Sequence, residues 1–182
     1  MSEGRTLLDA TSVQRCLRRM ANEIVEKSPR DVPLALVGIR KGGVALARRL
    51  AVLIAGLEGR EPEVGAVDIT LYRDDLYTGL ERPTLGETEL PFDLEASGIL
   101  LVDDVLFTGR TVRAALDAVH DYGRPRYIKL AVLVDRGHRE LPIQADFVGK
   151  KVETALFDRI TVVASELPSP TDHVMIEPRR PA

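Results

Sequence analysis

The sequence predicts an α/β fold in which a mostly parallel sheet is flanked by helices, within one domain that spans residues 1–182. Short and almost uninterrupted apolar runs, at residues 34–39, 98–102 and 127–134, are typical of strands that are buried on both faces. Between these runs, apolar residues recur at every third or fourth position, which is typical of helices that cover such a sheet. A chain of 182 residues is long enough to bury one core without a disulfide.

Composition and charge exclude several classes of protein. Apolar residues make up 45% of the chain, charged residues make up 29%, and the net charge is −3, so there is no overall attraction to nucleic acid. Cys16 is the single cysteine, so no intramolecular disulfide can form. The first residues lack the apolar core of a signal peptide, and no apolar run reaches the roughly 18 residues that would cross a bilayer. We therefore expect a cytoplasmic protein.

The individual elements follow from the same patterns. Helical spacing of apolar residues predicts a first, peripheral helix over residues 11–27, with Thr11 or Ser12 as its N-cap. Residues 72–91 are charged, contain Gly and Pro, and are expected to be a long mobile loop, whereas the Pro-rich stretch 167–182 is expected to be loose. The remaining predictions are strands over residues 34–39, 64–71, 98–102, 127–134, 145–148 and 160–164, and helices over residues 44–57 and 111–122.

The segment that follows the strand at residues 98–102 is the candidate functional site. Ligands of a parallel sheet gather at the carboxyl ends of its strands, where Asp103 and Asp104 stand side by side. Two adjacent carboxylates at a buried strand end repel each other and lose hydration, so a cation or hydroxyl donors must compensate them. Thr108 to Thr111 then opens a helix whose free N–H groups and hydroxyls suit a phosphate. Carboxylates beside a phosphate site predict a sugar phosphate as ligand.

Two other interpretations of this segment are a Walker loop and an acidic turn followed by a helix cap. A Walker loop is excluded, because the segment lacks the Gly-Lys-Ser/Thr ending and has acids where that loop has glycine. A solvated acidic turn followed by an ordinary helix cap is the plain alternative, since acidic turns and Thr caps are each common. The combination directly after a buried strand is rare and favours a binding site.

The segment resembles the signature for phosphoribosyl pyrophosphate (PRPP) in type I phosphoribosyltransferases, which joins a hydrophobic strand, paired acids and Thr-Gly-x-Thr. The resemblance implies the fold of that family, with a mobile loop and a small hood. It also implies that Asp103 and Asp104 hold the ribose hydroxyls and that Mg²⁺ is bound mainly through PRPP, with the two acids as further candidate ligands. The PRPP-binding residues that it implies are Arg40, Lys41, Gly42, Gly43, Asp103, Asp104, Val105, Leu106, Phe107, Thr108, Gly109, Arg110 and Thr111.

Two further segments, residues 68–76 and 133–150, resemble the family of bifunctional pyrimidine operon regulators and uracil phosphoribosyltransferases. In that family the protein, when loaded with a uridine nucleotide such as UMP or UTP, binds the leader of the pyrimidine messenger RNA and promotes attenuation. The same fold converts uracil and PRPP to UMP and pyrophosphate. The resemblance also implies a homodimer or homotetramer.

The catalytic residues that this resemblance favours are Arg73, Asp103 and Asp104. Breaking the C1–O bond of PRPP places negative charge on pyrophosphate, which Mg²⁺ and cations such as Arg73 would stabilise. Closure of the loop at residues 72–91 would exclude water and deliver Arg73. Purine-using relatives carry an acid at the position of Phe107, so this residue favours a pyrimidine. The resemblance places Arg136 at the uracil pocket.

The chain departs from that family in three places. Its turn reads Arg-Lys-Gly-Gly at residues 40–43, which is closer to the purine-type enzymes, and residues 151–158 replace a Pro-Thr-Ser stretch that ends in Ser-Glu. Asn22 and Gln144 stand where RNA-binding members carry histidine and arginine. A phosphoribosyltransferase without an RNA role, a purine-type transferase and a non-catalytic nucleotide sensor therefore stay open beside the bifunctional regulator.

The candidate RNA contacts are Arg18, Arg19, His138 and Arg139. The alternative for the arginines of the first helix is a solvated face that pairs with nearby glutamates. A single histidine in a loop at the end of a strand is equally typical of a structural role.

Overall fold

The structure is a computed structural model that describes residues 4–73 and 86–179. Its elements alternate between strands and helices until the third helix, after which only strands follow. In chain order they are β1 (Arg5–Leu8), α1 (Ala10–Lys27), β2 (Leu34–Ile39), α2 (Gly42–Glu58), β3 (Glu63–Val67), a 3-10 turn (Thr70–Tyr72), β4 (Gly98–Leu106), α3 (Arg110–His120), β5 (Tyr127–Asp135), β6 (Phe147–Lys151), β7 (Arg159–Val163) and β8 (His173–Glu177).

The main sheet confirms the predicted α/β architecture. Five parallel strands lie in the order β3-β2-β4-β5-β6, with β4 in the centre. Successive side chains of a strand point to opposite faces. Leu100 and Val102 of β4 accordingly pack in the core beneath α1 and α2, whereas Ile99 and Leu101 pack in the core beneath α3. Helices cover both faces, which is why the central strands are apolar almost throughout.

A second, antiparallel sheet forms the predicted hood, with strand order β1-β8-β7. The expectation that residues 167–182 are loose is wrong for β8, which is the central strand of this sheet. Val174 is fully buried and Ile176 is 6% exposed, so alternate side chains of β8 anchor the strand in the core. The strand predicted over residues 160–164 also belongs to this sheet rather than to the main one.

Three predicted boundaries need correction, each for a local physical reason. The N-cap of α1 is Asp9 rather than Thr11 or Ser12, because its carboxylate accepts a hydrogen bond from the N–H of Ser12 at 2.7 Å. The strand predicted to reach residue 71 ends at Val67, since the carboxylate of Asp68 accepts from the N–H of Thr70 at 2.6 Å and turns the chain. The central strand β4 continues to Leu106, so Asp103 and Asp104 lie inside it.

Most of the predicted loop at residues 72–91 falls on residues 74–85, which lie outside the described residues. Its return limb is tied to β3, because the N–H and C=O groups of Glu89 exchange two hydrogen bonds of 2.8 Å with Ala66. Across the described ranges, the helices are too short or too polar to cross a membrane.

Candidate active site

The turn after β2 and the end of β4 meet at the carboxyl edge of the main sheet. A Cβ atom added to Gly42 would collide with the carboxylate of Asp104, and one added to Gly43 would collide with the carbonyl oxygen of Val102. Only glycine allows the turn to approach β4 this closely. The structure therefore brings residues 40–43, which are predicted to bind PRPP, against Asp103 and Asp104. The peptide bond between Arg40 and Lys41 is cis.

Asp103 is buried, Asp104 is partly buried, and neither carboxylate is compensated within the described part of the chain. Asp103 is 5% exposed, and in that part neither acid has a basic side chain within ion-pairing distance. Burial, followed by the charge of Asp104, raises the pKa of Asp103 well above its usual range, and burial also raises the pKa of Asp104. Their main-chain contacts are the N–H of Asp104 to Asp103 Oδ1 at 3.0 Å and the N–H of Val105 to Asp104 Oδ1 at 2.7 Å. The pair is poised to accept hydroxyl donors or a cation.

Two helices begin beside this pair without a side-chain cap. The first, α2, begins at Gly42 after Lys41, and the second, α3, begins at Arg110 after Gly109. Gly109 has a φ of 94°, a left-handed conformation that favours glycine. The N–H of Arg110 donates to Thr108 Oγ1 at 3.3 Å. The other N–H groups of each first turn carry the positive end of a helix dipole, and each start suits an anion. Two anion sites with carboxylates between them match a sugar that carries two phosphate groups at separate positions.

The basic residues predicted to serve this site have different surroundings. Arg40 donates to the carbonyl oxygen of Glu87 at 2.8 Å and pairs with the carboxylate of Glu89 at 3.2 Å, so it holds the return limb of the loop. Lys41 is exposed at the start of α2. Arg110 pairs with Glu140 at 2.7 Å, and both side chains are about half exposed. The predicted PRPP contacts of Arg40 and Arg110 would each require the exchange of a carboxylate partner.

Arg73 is exposed and stands at the end of the first described range. Its neighbour Tyr72 is fastened to α3, because its carbonyl oxygen accepts from Arg113 at 3.2 Å and its hydroxyl donates to the carboxylate of Asp121. The Asp121 contact, together with burial, raises the pKa of Tyr72 to about 12. The residue before Arg73 is thus fixed to α3. This helix begins within residues 106–111, which we call the phosphate loop after its predicted ligand.

Hydrogen bonds join the phosphate loop to residues 136–141, the segment after β5. We call this segment the bridge. The carbonyl oxygen of Leu106 accepts from the N–H of Arg136 at 3.1 Å, and that of Thr108 accepts from the N–H groups of Glu140 and Leu141 at 3.0 and 3.2 Å. The guanidinium of Arg139 donates to the carbonyl oxygen of Phe107 at 2.7 Å. The sequence did not single out Glu140, since only the fold reveals its role.

Arg136 was predicted to lie at the uracil pocket, and the structure places its guanidinium between two parts of the site. It lies over the ring of Phe107 at 4.1 Å, and its donors reach main-chain and hydroxyl oxygens of residues 154–158. Burial lowers the pKa of Arg136, although a guanidinium keeps its charge at any pH at which the protein folds. Leu156 and Phe157 of the same segment are 53% and 52% exposed, and no pattern in the sequence singled them out as site residues.

An open cleft of about 730 Å³ lies on the other side of the bridge. Its walls include two of the predicted RNA contacts, His138 and Arg139, together with Gln144, Lys151 and Glu153. Arg136 and Thr154 also line it, whereas none of residues 40–43 or 103–111 does.

The four candidate RNA contacts divide into two kinds. Arg139 points inward, where it pairs with Asp135 at 2.6 Å and donates to four neighbouring carbonyl oxygens, so its guanidinium braces the bridge. His138 is exposed, and its Nε2 is 2.7 Å from the carbonyl oxygen of Thr154. Arg19 donates to the carbonyl oxygens of β6, whereas Arg18 is exposed and has no side-chain partner in the described ranges. Arg18 is therefore the most available of the four.

Comparison with known proteins identifies the family. A family model described as "Phosphoribosyl transferase domain" matches residues 4–167. A relative named "Bifunctional protein PyrR" from Geobacter sulfurreducens is 53% identical over 175 residues, which cover 96% of this chain and 99% of the relative. The protein of the same name from Thermus thermophilus is 57% identical over 161 residues, which cover 88% of this chain and 89% of the relative.

The solved structures that are similar to this chain show the fold. The hypoxanthine phosphoribosyltransferase of Trypanosoma cruzi matches with a TM-score of 0.69 at 17% identity, over 94% of this chain and 95% of that one. A hypoxanthine phosphoribosyltransferase of Staphylococcus aureus matches with a TM-score of 0.63 at 21% identity, over 85% and 80% of the two chains. Together with the sequence matches across most of the chain, they establish that this protein belongs to the phosphoribosyltransferase family, within the group of relatives named Bifunctional protein PyrR.

Proposed function

We propose that the chain transfers the phosphoribosyl group of PRPP to uracil, giving UMP and pyrophosphate, and that it also regulates pyrimidine genes by binding their messenger RNA leader when a uridine nucleotide is bound. The observation that carries the transferase is the buried pair Asp103 and Asp104 beside two uncapped helix starts. The family named above supports both activities.

The chemistry assigns a task to each part of the site. Asp103 and Asp104 accept hydrogen bonds from the ribose hydroxyls, and residues 108–111 hold the 5-phosphate at the start of α3. The electron pair of the broken C1–O bond leaves with pyrophosphate, where Lys41 and the N–H groups that open α2 stabilise it. N1 of uracil forms the new bond to C1, and its proton passes to the departing pyrophosphate or to water.

Mg²⁺ fits this site as an ion that is bound mainly through PRPP. In the described ranges, no group of three or more metal-binding side chains could hold an ion without a ligand. Mg²⁺ usually keeps several waters and takes phosphate oxygens together with one or two carboxylates. The buried carboxylates of Asp103 and Asp104 are suitable as those protein ligands. When bound, Mg²⁺ would neutralise charge on the pyrophosphate group.

The test of the transferase measures the conversion of labelled uracil to UMP with PRPP and Mg²⁺. Asp103→Asn/Asp104→Asn should lose UMP formation, whereas Asp31→Asn, an exposed acid at the opposite edge of the main sheet, should retain it. Hypoxanthine and guanine are run in parallel, because the Lys-Gly-Gly turn at residues 41–43 is the feature that favours a purine-type transferase. Turnover of those bases without uracil would replace the uracil assignment, and no turnover with any base would favour a nucleotide sensor.

The RNA-binding proposal rests on the exposed arginines of α1 beside the edge strand β6. Arg18 is exposed without a side-chain partner in the described ranges, and Lys150 and Lys151 add positive charge on β6. Phosphate contacts by such cations give salt-dependent binding. A hairpin RNA from a pyrimidine leader should bind more tightly with UMP than without it. Arg18→Ala should reduce the salt slope by about one, and Arg48→Ala, an exposed arginine of α2, should leave the slope unchanged.

The same proposal predicts a homodimer or homotetramer in solution, which light scattering measures directly. If UMP does not strengthen RNA binding although the chain converts uracil to UMP, the chain is a transferase without an RNA role.

A further inference from the structure

The guanidinium of Arg136 is committed to protein oxygens. It is one of the few buried charged groups, with 6% of the residue exposed. Its Nε donates to the hydroxyl of Thr154 at 3.1 Å, its Nη1 to the carbonyl oxygen of Asp158 at 2.7 Å, and its Nη2 to those of Ala155 and Leu156 at 2.8 and 3.2 Å. A guanidinium has five N–H donors, and four of them are used here. A nucleobase could receive at most the one remaining N–H group, because any further contact through this fork would break bonds that the protein already makes.

The segment that receives these bonds has little other support. Residues 152–158 lie between β6 and β7 and form no strand or helix. Within the segment, the carboxylate of Asp158 accepts from the N–H of Ala155 at 2.8 Å, and the N–H of Asp158 donates to the carbonyl oxygen of Ala155 at 3.2 Å. These two bonds close a turn, but they do not attach it to the rest of the protein. At its start, the segment is attached to β5, because the N–H of Val152 donates to the carbonyl oxygen of Asp135 at 2.9 Å. The attachment of residues 154–158 comes from Arg136 and from the contact between His138 Nε2 and the carbonyl oxygen of Thr154 at 2.7 Å.

The other side of the guanidinium faces the phosphate loop. It lies over the ring of Phe107 at 4.1 Å, and the ring of His138 meets the same ring edge-on at 6.0 Å. Stacking of a desolvated guanidinium on an aromatic face is an attractive contact. Arg136 therefore fixes the spacing between Phe107, which belongs to the segment that binds PRPP, and the turn at residues 154–158.

That turn carries an exposed apolar surface. Leu156 and Phe157 are adjacent and about half exposed, which is costly for two large apolar side chains unless a ligand or partner covers them. A flat pyrimidine ring offers faces that such side chains can cover.

We propose that Arg136 is a positioning residue for the nucleobase: it holds the turn at residues 154–158 against Phe107, so that the base side of the site has its shape before uracil arrives. This inference rests on the proposed transfer to uracil, and it replaces the predicted direct contact between Arg136 and the base. Because all four hydrogen bonds of its guanidinium reach residues 154–158, the loss of Arg136 affects uracil more than PRPP.

The experiment compares Arg136→Lys with wild type by measuring KM for uracil, KM for PRPP and kcat. Lysine keeps the charge but cannot bridge Thr154, Ala155 and Asp158 at once. The expected result is a rise of roughly tenfold or more in KM for uracil, since small misplacements of a binding element have effects of this size. KM for PRPP should change less than about twofold. A parallel rise in both constants, or a fall in kcat alone, would overturn the proposal.

The matched control is Arg49→Lys. Arg49 is equally buried at 4% exposure and also donates to a carboxylate, an amide and a carbonyl oxygen, but its partners are Asp172, Gln14 and Ser165. Arg49→Lys should lower the free energy of unfolding at least as much as Arg136→Lys does, without a selective change in KM for uracil. A selective change in the control would show that general destabilisation, rather than positioning, weakens uracil binding.

Two further measurements keep the proposal open to refutation. If Arg136→Lys does not fold, Thr154→Val removes one acceptor of the fork and should cause a smaller rise in KM for uracil alone; unchanged constants would overturn the proposal. If wild type forms no UMP, the proposed function fails by itself. Amide exchange at residues 154–158 then decides the positioning role, which requires faster exchange in Arg136→Lys, or in Thr154→Val, than in wild type.

Discussion

The phosphate side and the base side of the site are built in opposite ways. On the phosphate side, residues 103–111 are contiguous and combine two carboxylates with the main chain at the start of α3, which has no side-chain cap. On the base side, Arg136 and residues 154–158 are apart in sequence and meet through side-chain donors of one arginine. Main-chain contacts tolerate side-chain changes, so the phosphate side depends chiefly on its two carboxylates, whereas the base side depends on one arginine. The comparison predicts where substitutions should have general and where they should have selective effects.

The largest effect is expected from Asp103→Asn/Asp104→Asn. Amides cannot replace two carboxylates as acceptors for ribose hydroxyls and as ligands for Mg²⁺, so kcat/KM should fall by at least about 10²- to 10³-fold. The measurement is UMP formation at saturating and limiting PRPP. A variant that keeps more than a tenth of wild-type turnover would show that the paired acids do not serve the reaction.

The next effect tests the close approach on the phosphate side. Gly43→Ala would drive a methyl group into the carbonyl oxygen of Val102, so the turn at residues 40–43 must shift away from β4. We expect roughly a 10²-fold loss in kcat/KM, since a displacement of about 1 Å is sufficient for this. Gly56→Ala is the matched control, because nothing lies within 4 Å of a Cβ atom there. Equal activity of the two variants would contradict the steric argument.

Much of the phosphate side could be predicted from sequence, because its chemistry is local. The apolar run at residues 34–39 identified β2 correctly, and the acids, Gly109 and the threonines lie within one short segment. The sequence pattern predicted that β4 ends at residue 102, which is too early, since Asp103 and Val105 look like the start of a loop. They stay in the strand because they pair with Val132 and Val134 of β5, a register that no local pattern contains.

The base side and the hood could be predicted only in part, because they depend on pairs that are distant in the chain. Strand β1 is four residues long and pairs with β8 through Arg5 and Ile176, so neither strand has a signal of its own. The resemblance implies a place for Arg136 at the uracil pocket, but it does not reveal the carbonyl oxygens that occupy its donors. The inward orientation of Arg139 has the same origin, since Asp135 and Phe107 become its partners only in the fold.

A third prediction separates stability from the selectivity of the base side. Asp172→Ala removes the partner of Arg49, and the two side chains are only 1% and 3% exposed. Removing one member of a buried ion pair costs about 3–5 kcal/mol, so urea unfolding should show a loss of this order. The ratio of the two KM values should stay at the wild-type level, because the pair joins α2 to the hood and does not touch residues 154–158. A changed ratio would weaken the contrast between the two sides.

The pH dependence of stability provides a fourth test, on the phosphate side alone. The folded pKa values of Asp103 and Asp104 lie above the unfolded ones, so the native state binds more protons. This contribution is complete below the ordinary carboxyl pKa, near 3.9, and is lost as the pH rises through the raised values. The difference in unfolding free energy between Asp103→Asn/Asp104→Asn and wild type should therefore grow in favour of the variant as the pH rises. A difference independent of pH would show that the acids are not strained by burial.

The smallest effect is expected at the ion pair between Arg110 and Glu140, which joins the phosphate loop to the bridge. Both side chains are about half exposed, so Glu140→Gln should change the free energy of unfolding by less than about 1 kcal/mol. The substitution weakens the ion pair that holds Arg110 away from an incoming phosphate, so KM for PRPP should fall slightly while KM for uracil stays constant. The opposite pattern, a change in KM for uracil alone, would mean that the bridge transmits this contact to the base side. In that case the two sides of the site would be coupled through residues 136–141, and their separate construction would not make them independent in function.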